Sequence, residues 1–135
     1  MDLIYPVFSL VMLTFIVATA TGLSRLISVR RKDINPKYYV LMSGDTPPDY
    51  VQKLGRNYSN LLEAPVLFYV LAVLVIALRI DSALMLNLAW VYVALRLVHT
   101  IIHITYNHVI HRFITFVSSL LVLLAMWVHF MMLVG

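Results

Sequence analysis

The chain has no cysteine in 135 residues, which removes disulfides, thiolate metal sites, iron–sulfur clusters and cysteine nucleophiles together. Charge is scarce as well. Only 12% of residues are Asp, Glu, Lys or Arg, about half the usual share of a soluble domain. No Gly-rich phosphate loop, Ser-His-Asp set or nucleic-acid motif can be read along the chain. What is abundant is hydrocarbon: hydrophobic residues make up 62%, and the mean hydropathy is +0.92. A small fold leaves much of its area exposed, and a surface this apolar must face lipid. Ten Lys and Arg against six Asp and Glu leave a net charge of +4. With so little polar surface, that excess speaks for membrane orientation and anionic ligands, and nucleic acid is a poor fit.

Four spans are expected, at about 3–27, 59–78, 82–106 and 112–134, each long enough to cross about 30 Å of hydrocarbon. The fold class is all-α, an integral membrane four-helix bundle in one domain over 1–135, because open sheets cannot satisfy their backbone in lipid. Ala18-Thr19-Ala20 imitates a signal-cleavage site, but Asp2 without any Lys or Arg precedes a run too long for a signal peptide. Arg30, Arg31, Lys32, Lys37, Lys53 and Arg56 lie between the first two spans and Arg112 follows the third, against Arg79 alone on the other side. The positive-inside rule then puts the 30–56 loop in the cytoplasm and both termini outside or in a lumen. A bacterial chain would sit in the inner membrane, a eukaryotic one in the endoplasmic reticulum.

Ionisable groups at membrane depth need a partner or a task. Glu63 and Arg96 are about equally far from the turn at Arg79-Ile80, so an antiparallel hairpin puts both at one depth, roughly 22–24 Å from the outer end. The same mirror pairs Asn60 with His99 and Arg56 with His103. On each helix the three residues repeat at three- and four-residue spacing and form one stripe. Two facing polar stripes predict a ligand-sized cleft opening toward the cytoplasm. A buried ion pair that fixes helix register would account for two of the six residues and leave four. Arg25 and Arg112 add cations at helix ends, where snorkelling positive-inside markers are also common. With Arg25, Arg56, Arg96 and Arg112 against Glu63, the cleft should be net positive and take anionic groups.

His99 and His103, followed by His108 and His111, vaguely resemble the histidine boxes of membrane di-iron enzymes. The chain's five histidines supply too few ligands for such a site. A bis-histidine haem needs two ligands at one depth, whereas His129 lies in the outer half and His99 in the inner half. No metal is therefore expected. Tyr5, Trp90, Tyr92 and Trp127 read as packing or interfacial aromatics.

Three segments in order carry a resemblance. RNYSNLLEAP (Arg56 to Pro65), RLVHTIIHITYNHVIHR (Arg96 to Arg112) and the Gly22-Leu23-Ser24-Arg25 end of the first span resemble the MAPEG family, the membrane-associated proteins of eicosanoid and glutathione metabolism. The resemblance covers essentially the whole chain. It implies a homotrimer of four-helix bundles with sites between subunits near the cytoplasmic face, and glutathione as co-substrate. Carried over by position, Arg25, Arg56, Asn60, Glu63, Arg96 and His99 would hold glutathione, with His103 beside them. Glu63 would take the ammonium and the arginines the carboxylates. Arg112 would be the catalytic residue, since a nearby cation lowers a thiol pKa.

The chain also departs from the pattern. His103 and Phe116 stand where the well-studied eicosanoid enzymes have tyrosines, and Pro65 comes early after Glu63. The resemblance is closer to the broad, often bacterial branch. It implies a transferase or peroxidase that turns the glutathione thiolate on a lipophilic electrophile arriving from the bilayer. The alternative is a non-catalytic membrane protein of the same fold that binds a lipid or small anion, because fold membership does not settle activity.

Overall fold

The computed structural model describes residues 2–135. It is all-helical over these residues: α1 (Ile4–Arg30), α2 (Tyr38–Leu41), α3 (Asp49–Glu63), α4 (Val66–Ala77), α5 (Ala83–Ile104) and α6 (Val109–Val134). Four stretches are long and apolar enough to cross a membrane: α1, α3 with α4, α5, and α6. In α1, the buried residues Pro6, Leu10, Val17, Thr21, Ser24 and Ser28 fall on one stripe. Its hydroxyls are satisfied internally, Thr14 donating to the Leu10 carbonyl and Thr21 to that of Val17, which suits a helix in lipid. α5 packs most extensively on α6, and α1 on α3. The centre is filled by Leu10, Leu61, Phe68, Leu71, Met85, Ala89, Tyr92 and Met126.

Two boundaries differ from the sequence reading. The loop expected over 30–56 is shorter, because α3 begins at Asp49, ten residues before the expected span. Pro47 and Pro48 hold the chain extended up to that point, and Asp49 suits the positive end of a helix. Lys53 and Arg56 lower the mean hydropathy there, so an amphipathic extension of the span passes for a loop. The second difference is a break. Pro65 has no N–H to offer the Leu61 carbonyl, and the span divides at Ala64-Pro65 into α3 and α4.

The α4–α5 turn closes with Arg79 in the left-handed region (φ 54°) and Ile80 N–H donating to the Val75 carbonyl. Ser82 then caps α5. Its hydroxyl accepts from the Met85 N–H at 3.2 Å and lies 2.9 Å from His129 Nε2 of α6. Ser82→Ala should lower stability by about 1 kcal/mol, read as detergent-resistant unfolding, without touching the opposite end of the bundle.

Candidate functional site

Polar side chains inside the spans gather at the end of the bundle that carries the basic connecting segment. On α3, Val51, Asn57 and Leu61 are buried, while Gln52, Arg56, Asn60 and Glu63 run along another face at three- and four-residue spacing. This stripe borders an open cleft of about 500 Å³, lined also by Arg25 of α1 and by Tyr38, Tyr39 and Met42 in and beside α2. The Arg25 guanidinium lies over the Tyr39 ring, 5.8 Å from its centroid.

A second cavity of about 260 Å³ opens between α3, α5 and α6. Arg56, Asn60, His99, His103, Arg112 and Phe116 line it, together with Val109 and Phe113. Those last two are 67% and 64% exposed, so the apolar wall continues onto the outer surface of the bundle. Arg56 and Asn60 line both spaces, which makes α3 the partition between cleft and cavity.

Arg96 lines neither of them. It is 0% exposed, its Nη2 donates to Asn60 Oδ1, and its Nε and Nη1 have no hydrogen-bond partner among the described residues. The Phe116 ring lies 6.0 Å away, within reach of a cation–π contact. The Glu63–Arg96 pairing expected from equal depth is therefore corrected: Arg96 is hydrogen-bonded to Asn60, and Glu63 is exposed on the cleft side. The Pro65 break explains the error. Phe68 stacks on Tyr92 with ring centroids 4.7 Å apart, close to the mirror, whereas beyond Pro65 Asn60 meets Arg96 and Asn57 meets Thr100, about three and two residues off it. Mirror symmetry about the hairpin fails beyond the break. The coarser pairing survives, since Asn60 and His99, like Arg56 and His103, face one cavity.

His99 Nδ1 lies 3.1 Å from the Arg112 carbonyl oxygen, which can only accept, so Nδ1–H donates. His99 Nε2 is buried with no hydrogen-bond partner among the described residues, as is His103 Nδ1. The contact ties α5 to the first turn of α6. Arg112 is held from a second direction, its Nη1 donating to Asn107 Oδ1 at 2.7 Å. Asn107 adopts a left-handed conformation (φ 53°), which asparagine tolerates better than most residues. His103 also borders a polar space of about 170 Å³ with Asp49, Gln52, Lys53, Arg56 and Asn107.

Several of these residues escaped the sequence reading. Gln52 was legible one turn before Arg56. Thr100, whose hydroxyl donates to Asn57 Oδ1 at 3.4 Å behind the cleft, was legible as a polar residue within a span, whereas Asn57 fell just before the expected start of the second span. Tyr39 and Asn107 lie in connecting segments and gave no signal. Among the described residues, no three His, Asp or Glu side chains converge as metal ligands.

The chemistry on offer is electrostatic. Among the described residues lining the two spaces, Arg25, Arg56 and Arg112 are cations and Glu63 is the one carboxylate, with Arg96 buried behind Asn60 and Asp49 in the adjoining polar space. Such a set favours a ligand with several anionic groups and one ammonium, gripped by guanidiniums that can bond carboxylates in bidentate fashion.

No curated protein and no solved structure matches the chain at a significant level. The family comparison does match, and it does so over residues 3–132, which takes in α1, both halves of the broken span, the α5 and α6 residues of the polar cavity, and nearly all of α6. Four apolar spans and a match of this extent place the chain in the MAPEG family.

Proposed function

We propose that the chain is a glutathione-dependent membrane transferase or peroxidase, in which Arg112 stabilises the glutathione thiolate for attack on a lipophilic electrophile. The observation that carries this reading is the adjacency of two unlike walls. Arg112, His99 and His103 share a cavity with Phe113, Val109 and Phe116, so a polar co-substrate and an apolar one can meet there. Arg25, Arg56 and Asn60 would hold the glutathione carboxylates and amides, and Glu63 its ammonium. Arg96 would act through Asn60 by orienting its side-chain amide. His99 and His103 would border the thiol.

The assembly is a homotrimer in the lipid bilayer, with the basic connecting segment in the cytoplasm and both termini on the other side. Arg56, Ser59 and Glu63 are exposed within a membrane-crossing segment, where lipid cannot satisfy them. A neighbouring copy in a closed ring would cover that stripe and complete the cleft. The membrane is the bacterial inner membrane or the endoplasmic reticulum.

Purified protein assayed with glutathione and either an aryl halide or a lipid hydroperoxide tests the reading. Turnover supports it; no turnover together with no glutathione binding overturns it. Binding without turnover would instead favour a non-catalytic lipid- or anion-binding protein, the reading that His103 and Phe116 in place of tyrosines support. Glu63→Gln should weaken glutathione binding about tenfold with kcat little changed, as loss of one charge contact made equally in ground and transition states. A glutathione analogue without its amino group should bind wild type and variant alike.

A further inference from the structure

The segment between α1 and α3 leaves the end of α1 and then folds back along it. Ile34 is buried, the Tyr39 hydroxyl lies 2.6 Å from Ser28 Oγ, and the Tyr50 hydroxyl donates to Asp33 Oδ2 at 2.9 Å. With Arg25 over the Tyr39 ring, these contacts hold α2 level with residues 25–28 of α1. About 20 residues at about 1.5 Å each span the hydrocarbon, so a helix starting at Ile4 leaves it near Arg25. α2 therefore lies at headgroup depth. There Tyr38 and Tyr39 turn to the cleft, while Val40 and Leu41 point away, 77% and 81% exposed. Arg30, Arg31, Lys32 and Lys37 precede them in the same segment and are exposed, against Asp33, which is engaged by Tyr50, and Asp45 and Asp49, which follow. Positive-inside marking accounts for the four cations. It does not account for two bare aliphatic side chains held at that depth.

We propose that α2 and the 30–37 segment form a membrane-surface anchor that seats Val40 and Leu41 in a bilayer of anionic phospholipid, with the four cations on its phosphate layer. Tyr38, Tyr39 and Met42 line the cleft, so the seated anchor also fixes the cleft's outer wall. The inference stands on the position and charge of this segment and does not depend on what the cleft binds.

The cysteine-free chain permits a clean test. Leu41→Cys, and independently Val40→Cys, would carry a nitroxide label in nanodiscs of phosphatidylcholine with or without phosphatidylglycerol. Collision with oxygen reports lipid, and collision with a water-soluble nickel chelate reports water. The label should favour oxygen, and added phosphatidylglycerol should lower chelate access severalfold. Each of Arg31→Glu, Lys32→Glu and Lys37→Glu should shift the seating equilibrium back by about fivefold or more, and together they should erase the lipid dependence. Equal chelate access in both bilayers would overturn the proposal. So would a label shielded from both probes in both bilayers, which would mean that another copy of the chain covers α2.

Discussion

Arg112→Ala should abolish the thiolate absorbance of bound glutathione and lower turnover by about a hundredfold, the size of effect seen when one preorganised donor is removed from a developing anion. Helix content and assembly should be unchanged, because Arg112 is only partly buried and its structural partner is a single asparagine, Asn107. The cation acts because a positive charge beside sulfur favours the ionised thiol at neutral pH. Arg112→Lys should recover part of the thiolate but not all. A lysine keeps the charge and loses the planar fork that Asn107 holds in place. Rapid mixing with glutathione, followed at the thiolate band, separates this from a folding defect. An alanine variant with undiminished thiolate would remove Arg112 from the chemistry.

The second large effect concerns stability. Asn60→Leu should cost about 3 kcal/mol, because it strips a fully buried guanidinium of its one hydrogen-bond acceptor among the described residues. Arg96→Met removes the charge along with the need for a partner and should cost distinctly less, as replacing a buried polar pair by apolar packing often does. Glu63→Leu should leave the stability of the bundle nearly untouched, since Glu63 is exposed on the cleft side. Unfolding of the three variants in a denaturing-detergent titration ranks them. An Arg96→Met variant as damaged as Asn60→Leu would show that the guanidinium has further partners, and a strongly destabilised Glu63→Leu would restore the ion pair.

Much of this arrangement was legible in the sequence because lipid leaves few choices. Long apolar runs must be helices, so the four spans could be read from composition and length. Polar residues within or beside those runs stood out against an apolar background, which is why Arg56, Asn60, Glu63, His99 and His103 could be singled out, and in the structure they border the cleft or the cavity. Depth alone did not fix who meets whom. A mirror about the Arg79-Ile80 turn assumes two unbroken helices, and Pro65 removes one hydrogen bond in the middle of the longer one. The start of α3 was hidden for a related reason: a helix with Lys53, Arg56 and Asp49 on it fails a hydropathy reading while remaining helical. The placement of Tyr39 and Asn107 depends on tertiary contacts that no local pattern encodes.

The most direct test is a titration of glutathione into the purified, detergent-solubilised protein near neutral pH, with heat of binding and ultraviolet absorbance recorded together. Saturable heat accompanied by a thiolate band, and heat without the band for a glutathione methylated on sulfur, is the predicted result. Neither heat nor band, from protein whose helical content is intact, would contradict the assignment of these cavities to glutathione.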